Sequence, residues 1–324
     1  MKEAILAVLR RHPGEYLSGE ELSRGLGVSR TAIWKHIQAL REAGYRIDSQ
    51  PRRGHCLLAV PDLLYPEELR AGGRLGLWGR EIHYLTEVGS TNETARSLAE
   101  EGAPEGTVVL AEIQTGGRGR LGRTWVSPFG KGIWMSLILR PPIAPPSAPH
   151  LTLAAAVAVA RAVREVTGLP AGIKWPNDLL VNGRKVCGIL TEMKAEVDAV
   201  HYIVVGIGIN VNLRAEDLPP DVRKLATSLM MELGAAVPRV RLAQEVLSRL
   251  SELYSLYLRE GFPPVREAWK ELNITLGKRV KVSSAWEEYH GTAVDIDDEG
   301  ALKVKGEEGR ERKFYAGDVT LRGS

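Results

Sequence analysis

Glycines and arginines dominate residues 111–125 (AEIQTGGRGRLGRTW), the segment of the chain best suited to bind an anion. The GxGxxG spacing that starts at Gly117 matches a dinucleotide fingerprint, and the segment from Gly117 to Thr124 nearly matches a phosphate-binding loop, with Arg123 in place of its lysine. Both motifs require a helix that begins at the last glycine. The next residues, WVSPFGKG, contain a proline and two glycines and cannot form that helix. We therefore expect neither motif to operate here.

A third interpretation keeps the chemistry of this segment without those folds. Its four glycines make it flexible, and Arg118, Arg120 and Arg123 make it cationic, so backbone N–H groups and guanidinium groups can surround an anionic ligand. Three like charges so close together repel one another unless they share an anion. We therefore expect residues 116–124 to order only when such a ligand binds. The alternative is a mobile surface loop without a role.

Two further clusters combine polar groups and glycines with strands. In residues 174–188 (KWPNDLLVNGRKVCG), Lys174 and Lys185 each supply an ammonium group beside a Pro-Asn-Asp turn. By itself this is an ordinary β-hairpin, and a functional role requires that the lysines share a pocket with the glycine-rich segment. In residues 206–212 (GIGINVN), the alternating glycines let a ligand approach the backbone closely, or let the strand pack tightly on a helix.

The first 60 residues predict a winged helix-turn-helix. Helical periodicity favours helices near residues 4–9, 20–26 and 30–43, and two short strands, 45–47 and 56–58, surround a basic turn. The second and third helices would form the helix-turn-helix, with the third helix in the major groove of DNA and the basic turn as a wing. The alternative is a helical interaction module with a solvated charged face. The candidate DNA-binding residues are Ser29, Arg30, Thr31, Trp34, Lys35, His36, Arg52 and Arg53.

The elements that must position the other clusters alternate between strands and helices. We expect strands at 107–112, 133–139, 188–193 and 202–207, and helices at 152–166 and 241–260, in a largely antiparallel sheet backed by helices. Four short strands near 279–282, 288–295, 301–305 and 313–316 favour a small terminal β-barrel. The fold class is α+β, with predicted domains at 1–64, 65–271 and 272–324 and a proline-containing linker over 61–66.

Composition excludes several classes of protein. Apolar residues make up 44% and charged residues 26% of the 324, as in globular proteins, and the net charge is only +3. Residues 1–53 contain ten Lys/Arg and six Asp/Glu, a net of +4 that leaves −1 for the remainder, so a polyanion would bind the N-terminal part. Only two distant cysteines, Cys56 and Cys187, are present, which excludes a disulfide scaffold and a structural zinc site, and no metal site is predicted. The longest apolar run, residues 151–160, is too short to span a membrane, and the first residues do not resemble a signal peptide, so we expect a cytoplasmic protein with no membrane partner.

Five motifs in this order and spacing resemble the bifunctional biotin–protein ligases that also repress the biotin operon. The motifs are residues 90–92 (STN), Gln114, the loop GGRGRLGRTW, the block KWPNDLLVNGRKVCGIL and the strand GIGINVN. The resemblance implies a central α/β ligase domain of the biotin/lipoate ligase type and an SH3-like C-terminal barrel. It implies catalytic roles for Lys185, Arg118 and Arg120. It implies biotin contacts from Ser90, Thr91, Asn92, Gln114, Gly117, Arg118, Gly119, Arg120, Lys185, Gly188, Gly206 and Gly208. It implies nucleotide contacts from Trp125, Asn177, Asn210, Arg120, Arg123 and Lys174, while Trp134 occupies a position that packs against biotin in the family.

The resemblance also implies the reaction and its partners. Biotin and ATP would form biotinyl-5'-AMP, and the biotinyl group would pass to a lysine of a biotin carboxyl carrier protein. Arginine and lysine side chains neutralise the two anions that must meet, and Mg²⁺ would bridge the phosphates. Biotinyl-5'-AMP would serve as corepressor for a homodimer bound to operator DNA.

Two alternatives remain open from the sequence. The chain could be a transcription factor that senses a small molecule without ligase activity, or a ligase of another acid such as lipoate. A sensor has no need to stabilise pyrophosphate, so the complete set of lysines and arginines favours a ligase. In the resemblance, the GRGR loop and the KWPND block accompany biotin rather than lipoate.

Overall fold

A computed structural model describes residues 1–72, 74–283 and 287–321. Contacts divide the chain into two compact units, residues 1–63 and 64–324, and each is described by itself. Within the described residues, no helix is long and apolar enough to cross a membrane.

The N-terminal unit is a winged helix-turn-helix, as predicted. Its elements are α1 (Lys2–Arg11), α2 (Gly19–Leu26), α3 (Arg30–Glu42), β1 (Arg46–Gln50) and β2 (Gly54–Ala59). Ser18 and Glu21 form a reciprocal capping box at the start of α2, and Gly27 ends this helix with a φ of 67°. The Ser29 hydroxyl accepts a hydrogen bond from Ala32 N–H and starts α3. The inward faces of the three helices form the core of this unit, with Ile5, Leu9, Leu22, Ile33, Ile37 and Leu40 fully buried.

The second unit contains a mixed sheet covered by helices and a small barrel. Its helices are α4 (Pro66–Gly72), α5 (Thr91–Glu100), α6 (Ala148–Thr167), α7 (Leu229–Leu233), α8 (Arg239–Glu260) and α9 (Pro263–Leu272). The strands of the sheet are β3 (Ile82–Val88), β4 (Val108–Gln114), β5 (Gly132–Leu139), β6 (Gly172–Lys174), β7 (Asp178–Val181), β8 (Arg184–Ala195) and β9 (Val200–Asn210). The barrel strands are β10 (Arg279–Ser283), β11 (Glu288–Ile296), β12 (Leu302–Gly306), β13 (Glu311–Phe314) and β14 (Asp318–Leu321).

The seven strands of the sheet lie in the order β3-β4-β5-β9-β8-β7-β6. The pair β3–β4 is parallel and the other pairs are antiparallel, which confirms the predicted α+β class. Helices α6, α8 and α9 pack together on the main core. A separate cluster that includes Ala95 and Ala99 of α5 with Val109 and Ile138 covers the other face. Both faces of β5 are buried, because it is an interior strand between two helical layers.

The C-terminal barrel has five described strands in the order β13-β12-β11-β10-β14, one more than the sequence predicted. The strand expected at 313–316 ends at Phe314, and the additional strand β14 begins after Gly317, whose φ of 143° suits a glycine. Trp175 Nε1 donates to Gly300 O at 3.0 Å, and Trp175 N–H donates to Thr275 Oγ1 at 2.9 Å. The predicted division near residue 271 therefore marks a change of architecture inside one compact unit. Parts of the predicted barrel domain, residues 284–286 and 322–324, lie outside the described residues.

The segment that was predicted as a linker over 61–66 is shorter in the structure. Leu64 is fully buried in the core of the second unit, and its N–H donates to Glu112 Oε1 of β4 at 2.8 Å. Pro66 already begins α4. The sequence missed this anchor because two adjacent leucines between prolines have no periodicity that reveals which of them is buried.

Candidate active site

A cavity of about 260 Å³ lies where the loop after β4 meets β8, β9 and the first turn of α5. Most residues that the sequence singled out from distant parts of the chain line it together. They are Ser90, Thr91, Asn92, Gln114, Arg118, Gly119, Arg120, Arg123, Trp125, Asn177, Lys185, Gly188, Gly206 and Gly208. Lys185 therefore shares a pocket with the glycine-rich loop, as a functional role of the hairpin requires, whereas Lys174 does not line the cavity.

The inner end of the cavity is a network of neutral hydrogen-bonding groups. Gln114 Oε1 accepts from Thr91 N–H at 2.9 Å and from Thr91 Oγ1 at 3.1 Å, and Gln114 Nε2 donates to Ser127 Oγ at 2.9 Å. Ser90 is the residue that precedes α5, and its hydroxyl makes no capping hydrogen bond within the described residues. These contacts hold a fixed set of donors and acceptors at the buried N-terminus of α5, suited to a polar but uncharged ring.

Asn92 connects α5 to the sheet. Its Nδ2 donates to Glu192 Oε2 at 2.8 Å, and Ser136 Oγ lies 2.6 Å from its Oδ1. A Cβ on Gly206 would lie only 2.0 Å from Asn92 Oδ1, so only glycine fits under this side chain. The alternating glycines could allow either a close approach of a ligand or tight packing on a helix, and both apply to Gly206. It packs tightly against Asn92 of α5, and it lines the cavity.

The indole of Trp125 lies over the other two strand glycines. A Cβ on Gly208 would lie 2.6 Å from Trp125 Nε1, and one on Gly188 would lie 3.0 Å from its Cζ3. Trp125 Nε1 is buried and has no hydrogen-bond partner within the described residues. This large, flat side chain narrows the cavity and offers a stacking surface for an aromatic ligand.

Lys185 supplies the central positive charge of the cavity. Its Nζ lies 2.6 Å from Asp178 Oδ1 and 5.2 Å from the centre of the Trp125 ring. Lys174 Nζ lies 4.0 Å from Asp178 Oδ2 on the other side of this carboxylate. Burial lowers the pKa of Lys174, and the nearby Asp178 partly offsets this shift. One carboxylate thus faces two ammonium groups at the mouth of the β7–β8 hairpin.

Each arginine of the loop has its own partner on the protein. Arg118 Nη2 lies 2.8 Å from Glu93 Oε1 of α5, and Arg120 Nη1 donates to Asn177 Oδ1 at 2.9 Å. Arg123 forms an ion pair with Asp318 of the barrel. We expected the loop to order only with ligand because its three arginines repel one another in the absence of an anion. That premise is wrong, because Glu93 and Asp318 supply two anions from the protein itself. Whether ligand orders the loop further stays a prediction.

Some predicted site residues do not line the cavity. Gly117 lies beneath the loop, where its carbonyl accepts from Trp125 N–H at 2.8 Å. Asn210 Nδ2 donates to Thr227 O at 3.0 Å in a buried position. Lys174 contacts Asp178 but does not itself line the cavity. Trp134 is fully buried in a cluster with Leu213 and Leu218. In this structure these four residues support the walls of the cavity.

Several lining or partner residues were not predicted. Asp318 and Glu93 give no local signal, because an isolated carboxylate is common on any surface. Val222, Leu225 and Ala226 line the cavity because their segment pairs with the start of β8, where Lys185 N–H donates to Leu225 O at 2.8 Å. Asp178 was noted beside the lysines but not assigned to the site. Only the folded pairing brings these residues to the cavity.

Cys187 lies close to Lys185 in sequence but is not a nucleophile candidate. It is fully buried and free, and burial raises the pKa of its thiol. Its neighbours Lys185 and Gly188 face the cavity instead, consistent with its interpretation as a small core residue.

In the N-terminal unit, α2, α3 and the wing border a groove. Arg30, Thr31, Trp34 and Arg52 line it, and all four are exposed. Ser29 and Lys35 are also exposed, and His36 is half-buried. These positions are compatible with contacts to the major groove and the phosphates of DNA.

Arg53 is engaged differently from the other predicted DNA-binding residues. Its guanidinium lies 4.1 Å from the centre of the Tyr16 ring, and its Nη1 donates to Gln50 Oε1 at 2.8 Å. Tyr16 in turn hydrogen-bonds Asp48 of β1. The exposed Arg53 thus braces the wing against Tyr16 and Gln50, while Arg52 lines the groove.

Comparisons with known proteins identify the class of each unit. Residues 85–210 match the model of the biotin/lipoate A/B protein ligase family, residues 275–322 match the biotin protein ligase C-terminal domain, and residues 2–55 match a helix-turn-helix domain. The second unit is thus a protein ligase of the biotin/lipoate type, and the first is a helix-turn-helix module. The structure also resembles the biotin protein ligase of Aquifex aeolicus in complex with biotin and ATP, with a TM-score of 0.66 and 32% identity over 76% of this chain and 100% of that one.

Full-length relatives define the family more narrowly. The chain is 40% identical to the bifunctional ligase/repressor BirA of Bacillus subtilis, over 99% of this chain and 98% of the relative. It is 32% identical to the protein of the same name in Escherichia coli, over 95% and 94% of the two chains. The chain belongs to the family of bifunctional ligase/repressor proteins.

Proposed function

We propose that this protein uses ATP to convert biotin to biotinyl-5'-AMP and transfers the biotinyl group to one lysine of a biotin carboxyl carrier protein. The observation that carries the proposal is the single cavity in which the neutral network around Gln114 and Thr91 lies next to Lys185, Arg118 and Arg120. A neutral ring system would occupy the first part, and anionic groups would occupy the second.

In the first step, a carboxylate oxygen of biotin attacks the α-phosphorus of ATP, and pyrophosphate leaves. Two anions must approach each other, so the positive charges of Lys185 and Arg120 lower the barrier by neutralising them. Lys185 exchanges Asp178 for the biotin carboxylate and then for the α-phosphate. Trp125 stacks against the adenine, and Asn177 and Arg123 contact the nucleotide.

In the second step, the neutral amine of the acceptor lysine attacks the acyl carbon of biotinyl-5'-AMP. The bond from this carbon to the phosphate oxygen breaks, AMP leaves, and an amide forms with loss of a proton. The chain needs no nucleophile of its own for this transfer. The loop of residues 116–124 keeps water away from the mixed anhydride until the acceptor arrives.

Magnesium enters with ATP as part of the substrate. The described residues contain no group of three or more His, Cys, Asp or Glu side chains that could hold a metal ion. The two carboxylates in the cavity lining, Asp178 and Asp318, are each paired with a cation. Mg²⁺ would therefore bind mainly through phosphate oxygens and water, as part of the nucleotide substrate.

The same ligand would couple catalysis to transcription. Biotinyl-5'-AMP acts as corepressor, and a homodimer places two helix-turn-helix units on a two-fold operator. The exposed row of Arg30, Thr31 and Trp34 on α3 supports the DNA-binding part of this proposal. A cytoplasmic location, where ATP, carrier protein and DNA are all accessible, remains a prediction.

The deciding experiment is the release of pyrophosphate from ATP, measured in parallel with biotin, lipoate and octanoate. We expect release that depends on biotin, followed by transfer of biotin to a carrier domain. Release with lipoate or octanoate alone would favour a ligase of another acid. Biotin binding without pyrophosphate release would favour a sensor without ligase activity.

A further inference from the structure

Two consecutive residues of the C-terminal barrel contact the glycine-rich loop. Asp318 pairs with the guanidinium of Arg123, and Gly317 O accepts from Arg120 Nη2 at 3.2 Å. Asp318 also lines the cavity, so the barrel contributes directly to its wall. The two parts of the chain that meet here are separated by 195 residues in sequence.

The barrel side of this contact is fixed in place. Asp318 is the first residue of β14 and lies opposite Ser283 of β10 in the antiparallel register. Gly317 has a φ of 143°, and a Cβ there would lie 3.0 Å from Val282 Cγ1, so a side chain at this point would be strained and tightly packed. The strand pairing thus presents the Gly317 carbonyl and the Asp318 carboxylate in one orientation.

On the loop side, the backbone hydrogen bonds described for the tip, residues 119–123, join the tip to itself. Its turn includes Leu121 and Gly122, both with positive φ, and Leu121 is 76% exposed. Gly119 N–H donates to Arg123 O at 2.7 Å, which closes the turn on itself. Because the tip buries little apolar surface, contacts from the guanidinium groups decide where the loop lies.

We propose that Asp318, assisted by the Gly317 carbonyl, is a positioning residue that latches the loop over the cavity. The ion pair with Arg123 holds the closed conformation before a ligand arrives, and it slows the escape of the bound intermediate afterwards. This last consequence rests on the proposed function, since it requires that the intermediate is biotinyl-5'-AMP. Glu93 holds the opposite end of the loop through Arg118, so the two carboxylates restrain it from both sides.

The first test measures hydrogen exchange of the amides of residues 116–124 in the ligand-free protein. We expect Asp318→Asn to speed exchange about two- to fivefold, the range for an exposed ion pair. Exchange in the wild type should also rise with salt concentration, which screens the pair, and it should rise less in Asp318→Asn, where the Arg118–Glu93 pair remains. Glu307→Gln is the matched control, because Glu307 pairs with Arg279 on the barrel surface outside the cavity.

A double variant tests the pair itself and guards against a folding defect. Arg123→Asp combined with Asp318→Arg restores the opposite charges in reverse order and should return loop exchange towards the wild-type rate. The latch would be overturned if Asp318→Asn showed the same loop exchange as the control Glu307→Gln. It would also be overturned if the double variant had the wild-type Tm but its loop exchange did not recover.

The second test measures retention of the intermediate. With biotin and ATP, Asp318→Asn should shorten the lifetime of bound biotinyl-5'-AMP and increase biotinylation of a bystander such as serum albumin, also about two- to fivefold. An unchanged lifetime together with unchanged bystander labelling would overturn this part. If the wild type formed no adenylate, the proposed function would fail, while the exchange experiment on the ligand-free loop would still decide the latch.

Discussion

Lys185 Nζ lies 2.6 Å from Asp178 Oδ1, so the ammonium group that would meet the substrate anions already has a counter-ion on the protein. The same ammonium lies 5.2 Å from the centre of the Trp125 ring. Asp178 thereby holds the Lys185 side chain at the cavity, which both residues line. An incoming carboxylate or phosphate then replaces one anionic partner with another, so a lone buried charge never forms.

Replacement of Lys185 by alanine should lower the rate of pyrophosphate release with biotin by about two to four powers of ten, because the developing charge loses its partner. The fold should survive, since this half-buried lysine contributes little to packing. Lys194→Ala is the control, because Lys194 lies on the same strand and pairs with Glu100 outside the cavity. A near-normal rate in Lys185→Ala would remove this residue from the mechanism.

Gly206→Ala should weaken biotin binding at least tenfold. The added Cβ would lie 2.0 Å from Asn92 Oδ1, and Asn92 is held by Ser136 and Glu192, so the whole network must shift. Gly188→Ala is the milder companion, since its Cβ would meet Trp125 at 3.0 Å and the flexible Lys185 side chain at 3.2 Å. Calorimetry of biotin binding measures both affinities. Equal affinities for the two variants would contradict the expectation that Gly206→Ala binds biotin more weakly than Gly188→Ala.

Truncation should separate the two units only if Leu64 is retained. A chain of residues 61–324 keeps the buried Leu64 side chain and its hydrogen bond to Glu112, and it should remain a stable ligase without affinity for operator DNA. A chain of residues 66–324 loses both contacts and should be less stable by about 2 kcal/mol or more. Thermal unfolding of the two truncated chains measures the difference. Equal Tm values would show that Leu64 is not an anchor.

Arg30→Ala should lower the affinity for operator DNA about tenfold and reduce the slope of log affinity against log salt by about one, as expected for one lost phosphate contact. Arg24→Ala serves as control, because Arg24 lies on α2 outside the groove. Arg53→Ala should act differently: it removes a brace on Tyr16 and should lower the Tm of the N-terminal unit as well as its affinity. Fluorescence anisotropy at several salt concentrations would reveal any variant that departs from this pattern.

The barrel should lose stability in acid through Asp297. Burial alone would raise the pKa of this carboxyl, but the Lys313 ammonium at 2.8 Å and the N–H groups of Glu299 and Ala301 hold it below its usual value. Because the folded pKa is the lower one, the stabilisation is complete above the unfolded pKa of about 4 and is lost as pH falls through the folded pKa. Asp297→Asn should therefore cost about 1 kcal/mol at pH 7 and less in strong acid. A stability difference that does not depend on pH would exclude this ionisation.

The sequence by itself determined the local elements and the chemistry of the site. The capping pair Ser18 and Glu21 with Gly27 defines α2, because caps act within one turn of helix. The loop arginines indicated an anionic ligand, and the resemblance to biotin–protein ligases added the acid, the nucleotide and the roles of Gln114 and Lys185. These residues line one cavity in the structure.

Tertiary structure alone decided which distant residues are paired. Arg123 and Asp318, Arg118 and Glu93, and Leu64 and Glu112 are paired across 195, 25 and 48 positions of the chain. Single carboxylates and a single leucine have no periodicity, and their partners depend on strand order and on the barrel packing within the second unit. The order β4-β5-β9-β8 brings the glycine-rich loop next to Lys185, and β14 brings Asp318 to the same loop. Such long-range contacts arise only when the whole sheet closes, because no local preference of either residue encodes its partner.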